Sequence, residues 1–186
     1  TLAGVPQSES ARQATAGRNF LSSFDTVLDN TFRSLNTDQI PALTDPDMVD
    51  ASGSAARYIT EDELVLGVVI NDEARAYPHQ IGWYHEIVND IVGGQAVVVS
   101  FCPLTSTGML FDGQVEGGRL TCGVSGFLFN NNLVMYDRRD PLNVATLYPQ
   151  MMCVGVFGQR TNTGLTQLPI VETTWRYWKE LFLNST

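Results

Sequence analysis

Between Leu64 and Phe101 the chain carries two pairs of strand-like segments, LVLGVVI with EARAYP and HEIVNDIV with QAVVVSF. Asn71 and Asp72 divide the first pair, Gly93 and Gly94 the second. A two-residue link leaves room only for a tight turn with a left-handed backbone, which Asn, Asp and Gly adopt most readily. Two antiparallel hairpins are therefore expected. The segments TGMLFDG, GRLTCGV, NLVMYDR, ATLYPQ and CVGVF follow at short intervals with Gly, Asn and Pro between them. No helical periodicity separates these segments, which argues against parallel crossovers and predicts an antiparallel sheet that closes into a barrel or folds into a sandwich.

At both ends the spacing changes from two to between three and four. Phe20, Phe24, Leu28, Phe32 and Leu35 recur at helical intervals, with Leu21, Val27 and Thr31 beside them, predicting an amphipathic helix that stops before Pro41. Near the other end ETTWRYWKELF sets Trp175, Trp178, Leu181 and Phe182 on one face of a second helix, capped near Thr173 or Thr174. The class is thus α+β, predominantly antiparallel β, with an N-terminal and a C-terminal helix. Thr1 to about Gly17 has no periodic apolar face and reads as a polar arm. IPALTDPDMVDASGSAARYITEDE, rich in Pro, Asp, Ser and Gly, reads as an extended connector over the core. The 186 residues suffice for one core. They divide into residues 1–39, arm plus helix, and 40–186, a single β-rich domain.

The formal net charge of -9 disfavours nucleic acid as a partner, because phosphate binding draws on clustered Lys and Arg. No apolar run approaches the roughly 20 residues of a membrane helix. The chain starts at Thr1 without a methionine or an apolar signal core, which is expected of a processed, extracytoplasmic or secreted chain. Cys102, Cys122 and Cys153 match no zinc-ribbon or haem spacing, and an odd number leaves one thiol free unless it pairs between chains.

Several ordered stretches carry a resemblance: IPAL with DP, VLGVVINDEARAYP, HEIVNDIVGG, FCPLTSTG, FDG, GVSGFLFNNNLVMYDR and LTQLPIVETTW. Together, from about Ile40 to Trp178, the chain resembles the bacterial and archaeal family called domain of unknown function 3179. The resemblance implies that members are often exported, and it brings no established activity. Family members often carry a second cysteine where this chain has Thr105, and a tryptophan before the histidine of HEIVND where this chain has Tyr84. The resemblance thus implies a CxxC pair that is broken here, which removes the resolving partner that dithiol redox chemistry needs.

Cys102 and His85 are the chemical candidates. If Gly93 and Gly94 form the turn, Val92 faces Gln95, and the register carried back sets His85 opposite Cys102 with Cβ atoms roughly 5 Å apart. Imidazole beside thiol supports nucleophilic catalysis, with Glu86 or Asp90 orienting the ring and amides near Ser106 to Gly108 holding an oxyanion. It equally supports copper or zinc, with Met109, Met135 or Cys122 as further ligands. A packed thiol and a hydrogen-bonded core histidine are the bland alternative. Glu73 and Arg75 are expected to form salt bridges with the charged corner Asp137, Arg138, Arg139 and Asp140. Ser125, between glycines, reads as a bend rather than a nucleophile elbow. The sequon Asn184, Ser185, Thr186 is a weak glycosylation signal.

Two functions from different classes result. One is a non-catalytic assembly subunit, a homo-oligomer or filament, docking through Phe20, Phe24, Leu28 and Phe32. The other is a metal-binding or thiol-dependent domain using Cys102 and His85, with Glu86 in support.

Overall fold

The structure is a computed structural model that describes residues 30–186. Both expected hairpins form. β3 (Leu64–Ile70) pairs antiparallel with β4 (Glu73–Pro78), and β5 (Ile87–Val92) with β6 (Gln95–Cys102). Their turns use the left-handed backbone the sequence called for, with φ of 48° and 65° at Asn71 and Asp72 and of 55° and 77° at Gly93 and Gly94. The remaining strands are β1 (Thr31–Arg33), β2 (Leu43–Thr44), β7 (Thr107–Asp112), β8 (Gln114–Val115), β9 (Gly118–Arg119) and β10 (Cys122–Phe129). β11 (Asn132–Asp137), β12 (Leu147–Pro149), β13 (Gln167–Leu168) and β14 (Val171–Thr174) complete the set. Among the described residues two α-helices, α1 (His79–His85) and α2 (Trp175–Leu181), join them.

The strands sort into a stack rather than a barrel. A central sheet runs β13-β7-β6-β5-β2, a second β1-β10-β11-β12, a third β14-β3-β4, with β8 and β9 as a small ribbon. Along β6 the side chains alternate between two cores. Val98 and Cys102 pack with Val124, Leu133 and Met135 of the second sheet, whereas Val97, Val99 and Phe101 pack with Leu66 and Val68 of the third. A sheet covered on both faces has no solvent side to reserve for polar residues, which is why QAVVVSFC is almost continuously apolar. Outside the third sheet lies α2, whose Trp175 and Trp178 pack on Val65 and Ala76. Gly67 permits this approach, since a Cβ there would collide with the Trp178 ring.

Asn89 is a polar side chain that links the central and second sheets. Asn89 Nδ2 donates to the carbonyls of Leu43 at 3.0 Å and Cys122 at 3.0 Å, and its Oδ1 accepts the Cys122 amide at 2.6 Å. It is fully buried, so these bonds replace the water it gave up.

Several expectations need correction. The helix expected from Phe20 to Leu35 is not continued into the described residues, for Thr31–Arg33 form strand β1 on β10 and Phe32 is half exposed; Phe20, Phe24 and Leu28 lie outside the described residues. One parallel pair exists after all, because the connector lays β2 beside β5, with Leu43 opposite Val88. CVGVF forms no strand, only isolated bridges at Val154 and Phe157. In α2 Trp175 and Trp178 are buried as expected, but Leu181 is exposed, and the Thr174 cap makes no side-chain hydrogen bond. Among the described residues no helix is long and apolar enough to cross a membrane.

Candidate functional site

β6 ends at Cys102, where Pro103 supplies no amide hydrogen, and the Thr105 amide closes a turn onto the Cys102 carbonyl at 3.3 Å. Ser106 at φ 51° then returns the chain to β7. Period-two alternation sends the Cys102 side chain into the apolar core, where it is 1% exposed. Met109, Met135 and Cys122 belong to the same cluster, so the sulfur candidates do share one region.

The imidazole does not join them. His85 is the last residue of α1, Glu86 turns the chain with φ 56°, and the β5 ladder starts with Ile87 opposite Ser100. The Val92 to Gln95 register holds, but the strand stops short of His85, so the expected His85 to Cys102 cross-strand pair does not form. His85 Nδ1 instead lies 2.7 Å from the Pro41 carbonyl, an acceptor that requires the proton on Nδ1. Among the described residues no three of His, Cys, Asp and Glu gather as a metal site, and all three cysteines are free. Burial pushes the Cys122 and Cys153 thiols up, away from the thiolate that nucleophilic or metal chemistry needs.

A neutral network underlies the CPLTSTG loop. Asn132 Nδ2 donates to Thr105 Oγ1 at 2.9 Å and to Gln150 Oε1 at 2.8 Å, while Gln150 Nε2 donates to Ser100 Oγ and the Thr107 carbonyl, each at 3.0 Å. Gln150 and Ser100 are fully buried.

Beside this loop lies a pocket of about 260 Å3. Ile40, Glu86, Pro103, Leu104, Phe127 and Leu133 border it, so the IPAL, HEIVND, CPLTSTG and GVSGFLFNNNLVMYDR stretches converge there. Glu86 also borders a smaller cavity with Tyr77 and His79. Its place is set by the backbone. The Glu86 amide donates to the Gly82 carbonyl at 2.9 Å and its carbonyl accepts from the Phe101 amide at 2.7 Å. Gly82 lets α1 come this close, because a Cβ there would meet the Phe101 ring. A non-glycine residue at φ 56° costs about 1–3 kcal/mol, and such strain persists where surrounding bonds over-determine it. Burial alone raises the Glu86 carboxyl to about 7. The sequence named Glu86 only as a support for His85; what it did not reveal is that the four stretches meet in space.

The charged candidates find partners other than those expected. Arg75 pairs with Glu73 at 2.6 Å and with buried Asp90 at 2.7 Å, not with the Asp137 corner, and Tyr77 donates to Asp90 at 2.8 Å. The Gly93 amide and the Arg75 guanidinium hold the Glu73 carboxyl below its ordinary range. Buried Asp137 pairs with Arg139 at 2.7 Å, Arg138 with Asp38 at 3.0 Å, and Arg160 with Asp140. Ser125 is part of the bulge in β10, and its hydroxyl donates to the Val134 carbonyl at 2.6 Å. Ser185 of the sequon is buried, its hydroxyl accepting from the Trp178 indole at 2.9 Å.

At the rim of the second sheet β1 pairs with β10, with Thr31 opposite Phe129 and Arg33 opposite Phe127. The Ser34 and Leu35 amides then both reach the Gly126 carbonyl, at 2.8 and 3.1 Å. Gly126 takes φ 79°, and a Cβ there would strike the Leu35 carbonyl oxygen.

Comparison with curated proteins and with solved structures returns no match. One family does match, over residues 37–186, so that β1 and the Ser34 and Leu35 contacts precede the matched region. With most of its length covered, the chain belongs to the family described as "Protein of unknown function (DUF3179)".

Proposed function

We propose that the protein is a non-catalytic, extracytoplasmic subunit of a homo-oligomer or filament, with residues 1–39 as the docking segment and the β-rich domain from residue 40 as the rigid body. The observation that supports this is β1. It precedes the residues matched to the family, yet it occupies the edge of β10 through backbone pairing. An open strand edge presents unpaired amides and carbonyls that any extended segment can satisfy, so the same three-residue strand donated by a neighbouring copy would make equivalent bonds. Donation head to tail gives a filament, or a ring where the rotation closes. Half-exposed Phe32 adds an apolar contact for such an exchange.

The test is native mass by light scattering on the full chain and on a chain lacking residues 1–36. Assembly predicts a multimer that the truncation converts to monomers. Monomers in both would overturn it.

A second reading, copper or zinc binding or thiol chemistry at Cys102, is favoured by one observation, the shared cluster of Cys102, Met109 and Met135, whose soft sulfurs suit Cu(I). Elemental analysis of the native protein decides it. Stoichiometric metal that is lost in Cys102→Ser would support this reading, and metal-free protein would sink it.

A further inference from the structure

The pocket beside Glu86 is lined mostly by apolar residues, with Ser34 and Glu86 as the polar side chains. Trp83 of α1, Leu104 of the loop after Cys102, and Phe127 and Leu128 of β10 are among the residues that line it. Trp83 and Leu104 are 60% and 68% exposed, so the rim offers large apolar side chains that no described residue covers. Among the described residues Glu86 is the only ionisable one bordering this pocket, and its carboxylate makes no hydrogen bond or ion pair with any of them. Among the described residues no Lys or Arg borders either of the cavities it touches.

An ionised carboxylate removed from water and left without a cation is unfavourable, and the described residues supply no cation here. A ligand can. An ammonium group would pair with the carboxylate and lie within reach of the exposed Trp83 face, while an attached hydrocarbon body would cover the rim. The net charge of -9 draws cations rather than anions toward such a site. We propose that this pocket binds a small hydrophobic amine in its protonated form, with the ammonium on Glu86 and the apolar body between Trp83, Leu104 and Phe127.

The volume, about 260 Å3, lies just under the roughly 300–1,000 Å3 of pockets that hold drug-sized ligands, so the fitting class is a short alkyl or arylalkyl amine. The strained backbone at Glu86 belongs to the same reading, since strain of this kind concentrates at ligand clamps. Burial brings the carboxyl to about 7, and amine binding draws on its ionised form, so affinity rises with pH through neutrality. The other titratable groups facing Glu86 are Tyr77, from β4, and His79, from α1; the loop after Cys102 and β10 present none to either cavity. Burial lowers His79 and raises Tyr77, so both are neutral at pH 7.

The proposal is independent of the assembly reading, which stands or falls on particle mass. Calorimetric titration of the full chain with 2-phenylethylamine, 2-phenylethanol and phenylacetate tests it. The amine is expected to bind at one per chain and more tightly than the alcohol or the carboxylate, and Glu86→Gln to weaken it by about tenfold or more. Leu104→Lys, on an exposed position that folding tolerates, places a competing ammonium at the rim and should weaken amine binding likewise. Absence of amine binding, equal binding of the carboxylate, or full affinity in both variants would overturn the proposal.

Discussion

The Thr105 hydroxyl accepts a hydrogen bond from Asn132 Nδ2 at 2.9 Å, which ties the turn after Cys102 to the start of β11. Thr105, where the resemblance implies a second cysteine, thus serves here as a polar anchor. Asn132 also satisfies fully buried Gln150, so its removal strands a buried amide oxygen. Loss of the Thr105 hydroxyl instead frees one Asn132 N–H at an exposed turn residue, where water can replace the lost partner. We expect Asn132→Ala to cost about 1–3 kcal/mol and Thr105→Ala less than about 1. Urea unfolding of both variants checks the order, and equal losses would contradict it.

The thiols should differ in reactivity. Cys102 and Cys122 are buried and Cys153 is partly exposed, so alkylation of the native protein is expected to label Cys153 first and the other two only on unfolding. Mass spectrometry of peptides after a timed alkylation measures this. Early labelling of Cys102 would show a reactive centre instead.

Glu86 gives stability an acidic-to-neutral dependence. Its carboxyl titrates at 4.5 ordinarily and at about 7 in the fold, so between those values the native chain binds the proton more tightly than the unfolded one. Its contribution therefore falls as pH rises from 4.5 to about 7 and stays lost above. Glu73, held low by the Gly93 amide and Arg75, acts with the opposite sign and at lower pH, its stabilisation fading as pH falls. Thermal melts across this range should show a slope that Glu86→Gln flattens.

Gly126→Ala should loosen the edge strand selectively. The left-handed backbone alone costs a non-glycine residue about 1–2 kcal/mol, and the new methyl meets the Leu35 carbonyl. Faster hydrogen exchange at Ser34 and Leu35, with β11 amides unchanged, is the expected signature. Retained protection at both amides would mean the edge strand is held elsewhere.

What could be read in the sequence was local. Asn71 with Asp72 and Gly93 with Gly94 set both turns within two residues, and their strands followed by alternation. What escaped depended on distant partners. Phe32 fits a helical spacing, but Thr31–Arg33 find backbone partners nearly a hundred residues away at Phe129, and that pairing overrides the local pattern. α1 buries none of its residues fully and so left no periodic signal; its presence moved His85 off the ladder that counting had assigned it to. Glu86 is expected from the sequence only as a support for His85, because the pocket it borders consists of four stretches that adjoin only in three dimensions.

Asn89 carries a consequence for the time course of folding. Both hairpins close between neighbours in sequence, whereas Asn89 joins Leu43, 46 residues back, to Cys122, 33 residues on. Contacts at such separations form only after the intervening chain has been ordered, which places this junction late on the folding path. Replacing Asn89 with alanine should then accelerate unfolding far more than it slows refolding, making this one buried amide the latch that governs how long the assembled layers persist.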